Sequence, residues 1–153
     1  MTRVMLTILA SAVLGVAAHA QKTEYKNPAD LAKPNGYSHV VVAPAGRLVF
    51  ISGQTGLNSK GEMAAGFAGQ VAQAFASLRI ALASAGAAPK DVVKLNYYVV
   101  GLDREKLLAL RVERDKFLDV QHLPASTLAG VQTLFREDAL VEIEAEAVLP
   151  AAR

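Results

Sequence analysis

The chain has 153 residues, and its 16 Lys and Arg stand against 14 Asp and Glu, so the formal charge at pH 7 is only +2. That near balance argues against a nucleic-acid surface, which requires a clustered basic patch. Cysteine is absent, which excludes disulfides, thiol catalysis and cysteine-based metal sites.

At the start, Arg3 precedes an apolar run from Val4 to Ala18, and Ala18-His19-Ala20 stands before Gln21. One positive charge, a short apolar core and an Ala-x-Ala end over residues 1–20 predict a secretory signal peptide, and hence a periplasmic or secreted mature chain. The run is shorter than the roughly 20 residues a helix needs to cross a bilayer, so no stable membrane anchor is expected after cleavage. Residues 21–36, with Pro28, Pro34, Asn35 and Gly36 among scattered charges, read as an extended N-terminal arm. Residues 37–150 follow without repeat, low-complexity tract or linker and read as a single domain.

Within that domain, the apolar runs His39–Ala43 and Arg47–Ser52, joined through Pro44-Ala45-Gly46, predict a β-hairpin. From Ala64 to Ala85, Val71, Phe75, Leu78 and Leu82 recur at helical spacing; Gly86 supplies a C-terminal cap and Pro89 prevents resumption. Asp91–Val100 is rich in β-branched and aromatic residues and reads as a strand. A second helix begins after Asp103, an N-cap type, with Leu107, Leu110, Phe117 and Leu118 facing inward. Strands near Ser126–Thr133 and Val141–Val148 complete the order ββαβαββ, an α+β arrangement of a mixed sheet with two helices on one face.

Alternation in the last strand puts Val141, Ile143, Ala145 and Ala147 on one face and Glu142, Glu144 and Glu146 on the other. For Glu144 and Glu146 a solvated sheet face is the expectation. Only His39 and His122 remain beyond the signal segment, without a His-x-x-x-His pair, so neither a metal nor a cofactor is expected. Ser38 and His39 point to opposite strand faces, the wrong geometry for a nucleophile and its base. Gly53, Gly56 and Gly61 do not open a helix with Lys-Ser or Lys-Thr, so they form no phosphate loop. Asn96-Tyr97-Tyr98 is not a base-stacking platform, because one tyrosine must face the core and the basic groove is missing.

Several ordered pieces resemble one family: Tyr37-Ser38, Ser52-Gly53-Gln54, a Gln-rich helix with Gln70 and Gln73, Ala85-Gly86, Asp91-Val92-Val93-Lys94, Leu123-Pro124-Ala125, and Glu142-Ile143-Glu144-Ala145. Together they are similar to the reactive-intermediate deaminases, the Rid or YjgF family, also called endoribonuclease L-PSP, over about residues 37–149. The resemblance implies a chorismate-mutase-like fold, a homotrimer and small-molecule clefts between subunits. Enamine or imine hydrolysis is the implied activity.

By the same resemblance, Glu142 borders the cleft and helps orient the hydrolytic water, a general-base role, while Tyr37, Ser52 and Gly53 line it. Taken alone, each of these three reads as a packing or turn residue. The chain departs from the pattern at Ser126, where active relatives carry an Arg that grips the substrate carboxylate. A serine hydroxyl offers one neutral donor in place of a charged, planar fork. Arg111 aligns roughly with a cleft position often held by Asn and offers a relocated cation, but Arg111 and Arg114 also lie among Arg104, Lys106, Glu113 and Asp115 and read more simply as a solvated helix face. Two functions follow as expectations: an imine or enamine hydrolase, or a non-catalytic trimeric protein that binds a small metabolite. The expected partners are a small ligand and further copies of the chain.

Overall fold

The computed structural model describes residues 22–150. The expected signal peptide, residues 1–20, lies outside the described residues. Six strands and two helices run in the order β1 Glu24–Lys26, β2 Val40–Val42, β3 Gly46–Thr55, α1 Gly66–Ser84, β4 Val92–Val100, α2 Arg104–Phe117, β5 Ala125–Val131 and β6 Val141–Pro150. The main sheet has the order β3-β6-β4-β5, antiparallel at β3/β6 and β6/β4 and parallel at β4/β5. Both helices contribute to the core on one side of this sheet, as the α+β reading expects. Among the described residues, no helix packs on the other face.

The helix α1 forms where the apolar stripe predicts it. Val71, Phe75, Leu78 and Leu82 are buried along one side together with Ala74. Its C-terminus closes as a Schellman motif: Gly86 takes φ +77°, Gly86 N–H donates to Ala83 O, and Ala87 N–H donates to Leu82 O at 2.9 Å. Asp103 caps α2 by accepting from Lys106 N–H at 2.8 Å. The Phe75 and Phe117 rings meet at 4.9 Å and join α1 to α2. Below them, alternate residues of the two central strands, Leu95, Tyr97 and Val99 of β4 and Val141, Ile143 and Ala145 of β6, complete the core.

The expected hairpin between Val40–Val42 and the next strand does not form. Instead β2 pairs antiparallel with β1, Tyr25 opposite Val41, and β1 lies within the segment read as an extended arm. Pro44-Ala45-Gly46 lacks the Asn-Gly or Gly-first chemistry of a tight hairpin turn, and β3 takes β6 as its partner. A polar clamp holds the return to β6: buried Gln70 of α1 donates to Asp138 O at 2.7 Å and accepts from Leu140 N–H at 2.8 Å.

Candidate functional site

The last strand presents its glutamates on the helix-free face, with Val141, Ile143, Ala145 and Ala147 buried beneath. Glu144 is more than a solvated side chain. It accepts from Tyr98 Oη at 3.1 Å and from Asn96 Nδ2 at 3.3 Å, and this hydrogen bond, with the carboxylate's charge, raises the Tyr98 phenol above its usual range. On the same face Lys94 Nζ donates to Thr127 at 3.0 Å.

Glu142 is placed differently. The β3/β6 register slips between Ile51 and Gln54, so Ser52 and Gly53 together oppose Glu144 in a β-bulge. The Glu142 side chain rests on Gly53: a Cβ there would collide with its carboxylate and lie 2.6 Å from its Cγ. Gly53 has an ordinary negative-φ or extended backbone, so its missing side chain matters for the space it leaves and not for conformation. The Gln54 amide turns back onto Ser52 O at 3.0 Å and Gly53 O at 3.3 Å, which steadies the bulge. Among the described residues, Glu142 has no ion-pair partner.

The remaining expected residues gather at the other edge of the sheet. Ser38 is buried and its N–H donates to Pro124 O at 3.0 Å, which docks Tyr37 beside the start of β5. Ser126 pairs with Leu95 of β4 in parallel register, so its side chain is on the helix side of the sheet, whereas its neighbour Thr127 is on the open face. Arg111 Nη2 donates to Asn35 O at 3.3 Å, a long, exposed contact that draws the guanidinium toward the arm.

Arg114 corrects the reading of α2 as a solvated charged face. It is only 9% exposed; its Nη1 donates to Gly36 O at 2.9 Å and its Nε to Asp115 at 2.8 Å. Gly36 has φ +92°, and a Cβ there would overlap the guanidinium, so glycine is required on both counts. The two arginines thus fasten the arm immediately before Tyr37. No sequence signal marked Arg114, because a buried arginine among surface charges looks like any other.

The structure therefore brings Ser52, Gly53 and Glu142 together at the β3/β6 side, and Tyr37 and Ser126 together at β5, with Arg111 behind them. Ser52 and Gly53 on the outer strand β3 lie three strand spacings from β5, about 14 Å at 4.7–4.9 Å each, and Glu142 on β6 lies two, about 10 Å; Ser126 is moreover on the helix side of the sheet and Glu142 on the other. One chain does not unite the two groups.

An open mixed sheet backed by two helices, with a carboxylate held over a bulged edge strand, defines the chorismate-mutase-like α+β class. The chain belongs to the Endoribonuclease L-PSP family, the Rid/YjgF proteins, whose model matches residues 28–149. It is 35% identical over 126 residues to a RutC family protein of Aquifex aeolicus (strain VF5), covering 82% of this chain and 98% of that one. Among solved structures it is similar to the Rid-family protein YyfB of Yersinia pestis, with TM-score 0.76 and 35% identity over 84% of this chain and 100% of that one. It is also similar to TdcF of E. coli with bound serine, with TM-score 0.60 and 26% identity over 67% of this chain and 80% of that one.

Proposed function

We propose that this protein hydrolyses small reactive imines or enamines in a cleft built between copies of itself, as an exported homotrimer. The observation that carries the reading is the separation of the expected residues within one copy, Ser52, Gly53 and Glu142 toward the β3 side of the sheet and Tyr37 and Ser126 at the β5 edge, which calls for the β3 side of one copy to meet the β5 edge of the next. Exposed Leu48 and Phe50 on β3 supply apolar surface for that contact. A bound serine in TdcF is consistent with a small-molecule cleft in the family.

In the proposed reaction Glu142 accepts a proton from water as the water oxygen adds to the C=N carbon; an enamine first tautomerises to the imine. Glu142 returns that proton to nitrogen, giving a carbinolamine; the hydroxyl proton then moves to the nitrogen as the C–N bond breaks and the C=O bond forms, so that ammonia and a carbonyl compound leave. Gly53 keeps the carboxylate seated over the bulge. Ser126 lines the other wall without providing charge.

A second reading, a trimeric binder without catalysis, is favoured by one observation: Ser126 is neutral, and both nearby arginines are engaged with arm carbonyls. Hydrolysis of freshly generated 2-iminopropanoate by the mature chain separates the two. Turnover that disappears in Glu142→Gln supports the hydrolase. No turnover in the wild type, with turnover appearing in Ser126→Arg, supports the binder.

A further inference from the structure

We propose that the recess between the N-terminal arm and the α2–β5 loop is a carboxylate-binding subsite, with Lys33 as its cation. The inference deepens the hydrolase reading and rests on it for the role of the bound carboxylate. The recess has a volume of about 330 Å³, room for a small organic acid. One wall is the arm, with Asn27, Lys33, Gly36 and Tyr37; the other is the loop, with Gln121 and Leu123. It opens beside Pro124-Ala125-Ser126, the segment from which the expected carboxylate anchor is missing.

The lining has an excess of donors. Among the described residues the Lys33 ammonium has no hydrogen-bond or ion-pair partner, nor has the Tyr37 hydroxyl or the Gln121 side-chain amide. Asn27 uses its Oδ1 to accept from His39 N–H at 2.9 Å, which leaves its Nδ2 protons for a ligand. Among the described residues, no carboxylate lines the recess. The nearby Asp119 is held by the His122 ring at 2.7 Å and by Gln121 N–H at 2.9 Å.

One unpaired cation, several neutral donors and an apolar patch from Leu123 match a small monocarboxylate with a short apolar tail. The walls are fixed rather than adaptable on the arm side, because Arg114 ties Gly36 O and Ser38 N–H ties Pro124 O. The cation that Ser126 lacks is thus supplied from the arm, since Lys33 and neither α2 arginine lines the recess. This makes Lys33 a specificity-determining residue, selecting imino acids over neutral imines.

Calorimetric titration of the mature chain tests this with 2-oxobutanoate, a stable carbonyl counterpart of an imino acid, and with butanone, its neutral analogue. Wild type is expected to bind 2-oxobutanoate more weakly as salt rises, to lose roughly tenfold in affinity in Lys33→Gln and to recover in Lys33→Arg. Butanone binding is expected to ignore Lys33. Equal 2-oxobutanoate affinity in wild type and Lys33→Gln, or no binding by wild type, overturns the subsite. Lys33-dependent binding without imine turnover overturns the hydrolase and upholds the subsite; turnover whose KM is unmoved by Lys33→Gln does the reverse. Lys33 is exposed, so the variants retain the fold, which circular dichroism verifies.

Discussion

The Glu142 carboxylate lies against Gly53, in space that any side chain at that position would occupy. Two residues far apart in sequence are brought together because β3 bulges where it passes β6. The bulge brings one of three alternating glutamates onto β3: Glu144 is tied to Tyr98 and Asn96, while Glu142 has no ion-pair partner among the described residues.

Gly53→Ala is therefore expected to disable the site without unfolding the protein. Its backbone conformation admits alanine, but the carboxylate must move, and a displacement of about 1 Å at a catalytic group costs on the order of 10²-fold in rate. Imine hydrolysis and thermal melting measured together check this. An alanine variant with wild-type turnover removes Glu142 from the mechanism.

Arg114→Met removes two charged hydrogen bonds from a buried site and leaves Gly36 O without its donor. A loss of about 2–4 kcal/mol is expected, since bonds to charged groups are worth roughly 1.5–3 kcal/mol each and methionine recovers part of the packing. Chemical denaturation reads it directly. Arg111→Met, whose single contact is long and exposed, is expected to change stability by less than about 1 kcal/mol.

Replacing Gln70 with Leu leaves Leu140 N–H and Asp138 O without partners at the turn into β6. Asp138 is exposed and Leu140 half-buried, so water replaces part of what is lost, and the variant is expected to lose about 1–2 kcal/mol, with the fastest amide exchange gained at Leu140.

Burial drives the Tyr97 phenol far above its ordinary range, an effect that nearby Arg114 opposes and Asp115 adds to. The neutral phenol is favoured by folding, so its contribution is fully present below the unfolded value near pH 10 and is lost as pH rises beyond it. Tyr97→Phe is expected to flatten the alkaline fall in stability, as followed by denaturant midpoints between about pH 9 and 11. An unchanged slope contradicts this.

Much of the fold is legible in the sequence because it is periodic. The 3.6-residue stripe of Val71, Phe75, Leu78 and Leu82 and the strict alternation through Val141–Ala147 each reduce to one buried face. Pairing is less legible: β2 joins β1 rather than β3, a choice made by turn chemistry and by β6 occupying the β3 edge. The site is legible as residue types and not as a place. Nothing local reveals that Gly53 and Glu142 touch, that Ser126 lies two strands from Glu142 and three from Gly53, or that Arg114 turns inward beneath Gly36.

The central claim is that two copies share each site, and subunit complementation tests it most directly. Glu142→Gln and Tyr37→Ala are each expected to be inactive alone. Refolded together at equal amounts, random assortment gives one native pairing in about every four clefts, so roughly a quarter of wild-type imine turnover should return. Mixed oligomers that stay as inactive as the separate variants would contradict a shared site.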